Sequence, residues 1–273
     1  MSSKNLKMFC ITIHNDHYEK INNLGYSAVG LGDKINSDKF LRDNTDLNIT
    51  SKNQFYGEYT FHYWLWKNKI IEGERDWVGF CQYRKFWSKD EFRGEINNLV
   101  SLKEQVLTEI PNKFNDYESI LGEPLYINQL RISKFLKKNL VTMIKNPLLF
   151  FDKNRRNIKF HFDMMHGNGN LDKAIDLLDL EEREDFKKFV NSEVCFNPHN
   201  MFICKSQKTL NDYYNSIFPW LERCENQFGF NLDGYGLKRI YGFLAERYLS
   251  FWFKKYTKFK TLPIIFKDIT KLD

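Results

Sequence analysis

The sequence predicts an α/β protein with a helical C-terminal portion. Three observations support this. Short apolar, partly β-branched runs at residues 7–13 and 77–83 read as strands. Segments of helical period lie between and after them, so strands and helices alternate in the first half. Two amphipathic stretches, 206–223 and 235–253, then give the C-terminal part a helical pattern.

Each element follows from local chemistry. Residues 7–13 form the first strand, and the glycine-containing 24–32 suits a loop with a short strand. Residues 44–53 are polar and turn-rich. A helix is expected over 54–68, where Phe55, Glu58, Phe61 or His62, and Leu65 recur three and four apart. After the strand at 77–83, residues 90–110 and 129–145 look helical, with Pro111 and Pro147 as breaks. Residues 171–191 read as one or two short helices, and 194–204 as a strand broken by Pro198. Pro219 bends the helix at 206–223.

Composition narrows the class. Apolar residues make up 42% of the 273 and aromatics 16%, enough for a core without disulfides or metal. The five cysteines are scattered and show no C-x-x-C spacing, which argues against a structural zinc site or a disulfide framework. The apolar run near the N-terminus is too short for a signal peptide, and no run has the length to span a bilayer. A soluble protein of a reducing cytoplasm is the expectation. The net charge of +6 is uneven: residues 131–160 hold nine Lys/Arg against one acid, Asp152. A second basic-aromatic run, 247–260, has five cations and no acid. Such patches suit an anionic lipid surface, nucleic acid or a phosphorylated substrate, or simply a solvated face.

Several residues invite chemical readings. Glu58 falls on an apolar helical stripe, where a carboxylate needs a partner. His62, one turn on, is a candidate; Glu58 then serves structure, grips a sugar hydroxyl or orients Arg84. Tyr83, Arg84 and Lys85 leave the end of a strand, where open α/β sheets bind ligands. An Arg fork beside a Lys fits phosphate oxygens, the alternative being surface cations at a sheet edge. His161, Asp163 and His166 share a short, glycine-ended stretch read as a loop. A metal site there would need a further ligand. Asp163 or His166 as a general base for an acceptor hydroxyl is the preferred reading. No P-loop, G-x-G-x-x-G, kinase signature, G-x-S-x-G or H-E-x-x-H occurs.

Together these pieces resemble a bacterial family. The run Asn48-Ile-Thr-Ser-Lys-Asn53, then Tyr56-Gly-Glu-Tyr-Thr60, Tyr63-Trp64, Trp66-Lys-Asn68 and Val78-Gly-Phe-Cys-Gln-Tyr-Arg-Lys85 is similar to the signature block of the domain-of-unknown-function 4422 family. Tyr26-Ser-Ala-Val-Gly30, Asn200-Met-Phe-Ile203, Phe218-Pro-Trp-Leu221, Arg239 and Gly242-Phe-Leu-Ala-Glu-Arg247 extend the likeness over about residues 7–253. The family strand end usually reads His-Tyr-Arg-Arg-Tyr; here Gln82 replaces the His and Lys85 the second Arg. Gly57 stands where Cys is common.

The resemblance implies a GT-A-like, Rossmann-like nucleotide-sugar-binding sheet with a helical insertion. It also implies a glycosyltransferase of capsule, O-antigen or exopolysaccharide synthesis. One domain, 1–273, would comprise a nucleotide-sugar-binding half (1–110), a basic helical insertion (111–170) and an acceptor-side half (171–273). A UDP-sugar, hexose or galactofuranose, would be the donor and a lipid-linked glycan the acceptor. Asn48, Lys52 and Asn53 would lie near nucleotide or sugar, with Glu58 behind them. Tyr83, Arg84 and Lys85 would face the diphosphate. His199, Asn200, Arg239, Glu246 and Arg247 would contact substrate, although an adjacent Glu-Arg pair on a helix also suits packing and a local ion pair. No D-x-D stands at the expected strand end; a divalent ion, manganese or magnesium, stays open as a cofactor, and fixed cations in its place are the preferred reading. Residues 131–160 and 247–260 would dock on the anionic inner membrane face. The alternative is a non-catalytic protein binding nucleic acid or another anionic surface, but no recognition module is legible, so nucleic acid is not the expected partner. Phosphoryl or nucleotidyl transfer is disfavoured because clustered carboxylates are lacking.

Overall fold

The computed structural model describes residues 4–71, 77–89, 94–131 and 148–273. Its strands are β1 (Lys4–Thr12), β2 (Ser27–Gly30), β3 (Trp77–Gln82), β4 (Lys85–Trp87), β5 (Glu109–Ile110), β6 (Ser119–Gly122), β7 (Leu125–Tyr126), β8 (Cys195–Phe196), β9 (Phe202–Lys205), β10 (Phe259–Leu262) and β11 (Ile264–Phe266). The helices are α1 (His17–Asn23), α2 (Asn53–Tyr56), α3 (Tyr59–Lys67), α4 (Leu99–Gln105), α5 (Leu148–Phe151), α6 (Ile158–His166), α7 (Asn170–Asp176), α8 (Leu180–Ser192), α9 (Gln207–Phe228), α10 (Tyr235–Lys238) and α11 (Ile240–Tyr256).

The main sheet runs β10-β6-β9-β3-β1-β2. β1 is parallel to β2 and β3, and β10 is parallel to β6. β9 runs antiparallel to both β3 and β6. Strands from both ends of the described chain therefore share one sheet. A ribbon of β4 and β11 extends it beyond the carboxyl end of β3.

Alternation along β1 explains the layers. Phe9 and Ile11 point into one apolar cluster, with α3, α9 and α11. Met8 and Cys10 point into the other, with α1 and α4. Both faces of β1 and β3 are covered, which is why these central strands read as continuous apolar runs. Cys10, Cys81, Cys204 and Cys224 are buried and free, as small hydrophobes; Cys195 is partly buried and also free.

Several expectations need correction. The helix expected over 54–68 is divided at Gly57, whose φ of 59° ends α2. Of 90–110, residues 99–105 are helical, capped where Asn98 accepts from the Ser101 amide, and Glu109–Ile110 join the sheet. Residues 90–93 lie outside the described residues. Most of the helix expected at 129–145 does too, because 132–147 are not described. The stretch holding His161, Asp163 and His166 is helix α6 rather than a loop; Gly167, at φ 94°, ends it. In the basic-aromatic run 247–260, Tyr248, Leu249, Phe251, Trp252 and Phe253 are buried in the core, so these rings do not face a bilayer. Among the described residues no helix is long and apolar enough to cross a membrane.

Candidate functional site

The parallel strands β1 and β3 end side by side, and a cleft of about 430 Å³ opens at their carboxyl ends. Thr12 ends β1 and Ile13 follows it, and Gln82 ends β3 with Tyr83, Arg84 and Lys85 after it. Asn53, Gln54, Gly57 and Glu58 line it from α2 and its end, and Tyr235 and Arg239 line it as well. Three cations, Arg84, Lys85 and Arg239, line the cleft against a single carboxylate, Glu58.

Local structure holds each of these groups. The Arg84 guanidinium lies 4.6 Å from the Tyr83 ring centroid and donates to the Tyr83 hydroxyl. Its Nε pairs with Asp268 at 3.2 Å. Asp268 belongs to the C-terminal segment, which bonds to the strand end through Lys267 N–H to the Arg84 carbonyl and Ile269 N–H to the Tyr83 carbonyl. Against burial, the largest influence, the hydrogen bonds from Thr270 and, after them, the Arg84 charge hold the Asp268 carboxyl below the usual range. Lys85 donates to Gln82 Oε1 at 3.1 Å. Burial pulls the Lys85 ammonium below the usual lysine value, against the attraction of Glu58 and Glu246.

Glu58 is held from two directions. Its Oε1 accepts from Asn200 Nδ2 at 2.8 Å, and its Oε2 lies 3.5 Å from Arg239 Nη2. Gly57 makes the second contact possible, because a Cβ there would stand 2.2 Å from Arg239 Nη2. Gly242 brings α11 against α2, where a Cβ would meet the Tyr56 carbonyl at 3.3 Å. His62, the partner suggested by helical spacing, instead bonds through Nδ1 to the Tyr214 hydroxyl at 2.7 Å. It is fully buried, whereas Glu58 lines the cleft.

Behind the cleft lies a second tier. His199 and Asn200 take left-handed φ values of 82° and 53°, a conformation that non-glycine residues adopt only where neighbours enforce it. Glu246 Oε1 accepts from the His199 N–H at 2.6 Å, and Gln82 Nε2 donates to the His199 carbonyl at 3.0 Å. Glu246 pairs with Arg247, which also donates to His161 Nδ1 at 3.0 Å. Burial lifts the Glu246 carboxyl and lowers the Arg247 guanidinium, each opposed by the other's charge. Burial, with Lys85 close by, lowers the His199 imidazole to about 3, so it is neutral at neutral pH.

The structure thus brings Asn53, Glu58, Tyr83, Arg84, Lys85 and Arg239 to one cleft. His199, Asn200, Glu246 and Arg247 stand behind it as its frame. Asn48 and Lys52 lie elsewhere. Asn48 is exposed and closes a turn by donating to the Asp46 carbonyl at 3.0 Å. Lys52 pairs with Glu225 at 2.7 Å in a separate recess. Asp163 and His166 do not line the cleft either. Asp163 pairs with Lys159 at 2.7 Å and accepts from the Gly169 N–H at 3.2 Å. His166 bonds to the Gly236 carbonyl at 3.0 Å and stacks on Phe243 with centroids 4.0 Å apart.

Sequence reasoning missed Thr12, Ile13, Gln54 and Tyr235. The end of the first strand was a signal for the first two, and an aromatic between Gly234 and Gly236 was one for the last. Among the described residues no group of three His, Cys, Asp or Glu is placed to hold a metal ion, and the cleft offers a single carboxylate, Glu58.

A family model described as a domain of unknown function, DUF4422, matches residues 8–258. No curated protein matches the chain in sequence. Among solved structures, the chain is similar to the apo structure of WbbM, a bifunctional glycosyltransferase. The TM-score is 0.66 at 20% identity, covering 97% of this chain and 45% of that one. This chain therefore spans less than half the length of the WbbM chain. The likeness shows the fold, the GT-A-like α/β architecture expected from the sequence.

Proposed function

The chain belongs to the DUF4422 family, and from the cleft that its sheet presents we propose that it is a glycosyltransferase. It moves a sugar, hexose or galactofuranose, from a UDP-sugar to a hydroxyl of a lipid-linked surface-glycan acceptor of the capsule, O-antigen or exopolysaccharide kind. One observation carries this reading: Arg84, Lys85 and Arg239 converge on the carboxyl edge of a GT-A-like sheet with one carboxylate among them. A departing nucleoside diphosphate brings concentrated negative charge, and preorganised cations oppose it without reorganising during the reaction. WbbM, which shares the fold, is a bifunctional glycosyltransferase.

The neutral His199 and the turn it shares with Asn200 hold Glu58 and Lys85 in register. Acceptor delivery at the inner membrane face falls to the stretch around α5, where Leu148 and Phe151 are exposed beside Lys153 and Arg155. A thermal-shift screen with UDP, GDP, CDP and their common sugars, each with manganese and with EDTA, tests the reading. The expected outcome is a UDP-selective rise in melting temperature that survives EDTA. No shift with any nucleotide sinks it.

A further inference from the structure

We propose that Glu58 is the general base of the transfer, the group that takes the proton from the acceptor hydroxyl. This rests on the glycosyltransferase reading and names a catalytic residue within it.

Geometry leads to Glu58. It is the one acidic side chain among the residues that line the cleft. The carboxyl is mostly buried, at 14% exposure, yet it opens onto the cleft rather than the core. Asn200 fixes one oxygen through a hydrogen bond of 2.8 Å, and Asn200 is in turn anchored to the Gly242 carbonyl at 3.1 Å. The other oxygen has only the longer contact of 3.5 Å to Arg239, which leaves it able to accept a further hydrogen bond.

Other acids near the cleft are committed. Glu246 takes the His199 amide and the Arg247 guanidinium, and Asp268 takes Arg84 and the Thr270 N–H. Neither lines the cleft. Asp163 is tied to Lys159 on α6.

The step balances without a further reactant. The acceptor oxygen forms a bond to the anomeric carbon as its proton passes to the Glu58 carboxylate. The bond from that carbon to the diphosphate oxygen breaks, and its electron pair leaves on UDP, next to Arg84, Lys85 and Arg239. Glu58 then returns the proton to solvent. With Glu58 taking the proton as the acceptor oxygen attacks opposite the breaking bond, the transfer is a single displacement and the product configuration is inverted.

The test uses the full chain and water as the simplest acceptor. UDP release is followed with whichever of UDP-glucose, UDP-galactose or UDP-galactofuranose shifts the melting temperature. For Glu58→Gln, the expected result is an unchanged UDP shift, a kcat about 10²–10⁴-fold lower, and loss of the acid limb of the wild-type pH–rate profile. Glu58→Asp, which retains a carboxylate, keeps that limb with a reduced kcat and covers the case in which the Gln variant folds poorly. A Gln variant within about tenfold of wild type overturns the assignment. So does a Gln variant with an intact circular dichroism spectrum that no longer responds to UDP, because Glu58 would then be a donor-binding group. Retained anomeric configuration overturns it as well. Wild-type protein that neither responds to UDP nor releases it from any of the three sugars takes down the transferase reading and the base together.

Discussion

Two arginines of this chain do the same chemistry in different media. Arg84 pairs with Asp268 and lies over Tyr83; Arg247 pairs with Glu246 and lies over Phe196, 4.3 Å from its centroid. The side chain of Arg84 is 57% exposed, that of Arg247 1%. Where water reaches the pair, the attraction is weak and the guanidinium stays free to exchange a carboxylate for a phosphate. Where water is excluded, the two charges have only each other and fixed protein groups, His161 and the His199 amide among them, and the pair fixes a helix and a turn. On the proposed reading, Arg84 serves a ligand, whereas Arg247 serves the architecture.

Removing one member of the buried pair tests this most severely. Arg247→Ala leaves Glu246 buried and unpaired, and such losses cost about 3–5 kcal/mol. The expected result is a sharp fall in the denaturation midpoint, together with a looser His199–Asn200 turn. A midpoint within about 1 kcal/mol of wild type would break the comparison. Arg84→Ala has the opposite profile: exposed pairs contribute only about 0.2–1 kcal/mol to stability. Its transfer rate instead falls by the equivalent of about 2.7–4 kcal/mol, the usual loss of one preorganised charge contact. A nearly unchanged rate, with wild-type activity that EDTA abolishes, would move the diphosphate away from Arg84.

Gly57 connects the two tiers. Its φ of 59° and ψ of −134° suit glycine, and a Cβ would press on Arg239 Nη2. Gly57→Ala therefore costs about 1–3 kcal/mol of backbone strain and displaces Arg239 from Glu58. Chemical denaturation reads the first effect, and a weaker UDP response reads the second. An alanine variant as stable as wild type would mean that the α2–α3 break is held by something other than glycine.

How much of this was legible depends on the distance over which the information acts. Tyr83, Arg84 and Lys85 were readable because an apolar strand that turns basic at its end is a local pattern. Glu58 was readable as anomalous for the same reason, since an acid on an apolar stripe stands out within one helical turn. Its partner was not, because Asn200 lies 142 positions away and reaches Glu58 through a left-handed turn that no short window reveals. Strands β6, β10 and β11 are three or four residues long and gain their identity from pairing across the chain, not from propensity. Reading 161–169 as a loop gave too much weight to its glycines. Asn157, which accepts from the Phe160 N–H, marks a helix start that the sequence did display.

The smallest effect concerns protons. Burial lowers His62 and His161 from 6.5 to about 3, with Arg247 adding to the shift at His161. Both are neutral in the folded protein, and each would gain a proton in the unfolded chain as pH falls through 6.5. The unfolded state then binds more protons, so the stabilisation is complete above about pH 6.5 and is lost progressively toward pH 3. Each group contributes a slope of at most about 1.4 kcal/mol per pH unit in that window. His62 is the cleaner probe, because its Nε2 has no hydrogen-bond partner and Nδ1 meets only Tyr214. The double variant His62→Phe with Tyr214→Phe removes both polar partners from an aromatic cage, so little stability is lost at neutral pH. Its denaturation midpoint should fall less steeply than that of wild type between pH 6.5 and 5, the window set by the same shift. An identical slope would show that His62 titrates alike in both states and that acid sensitivity resides elsewhere, with His161 beneath Arg247 the next residue to replace.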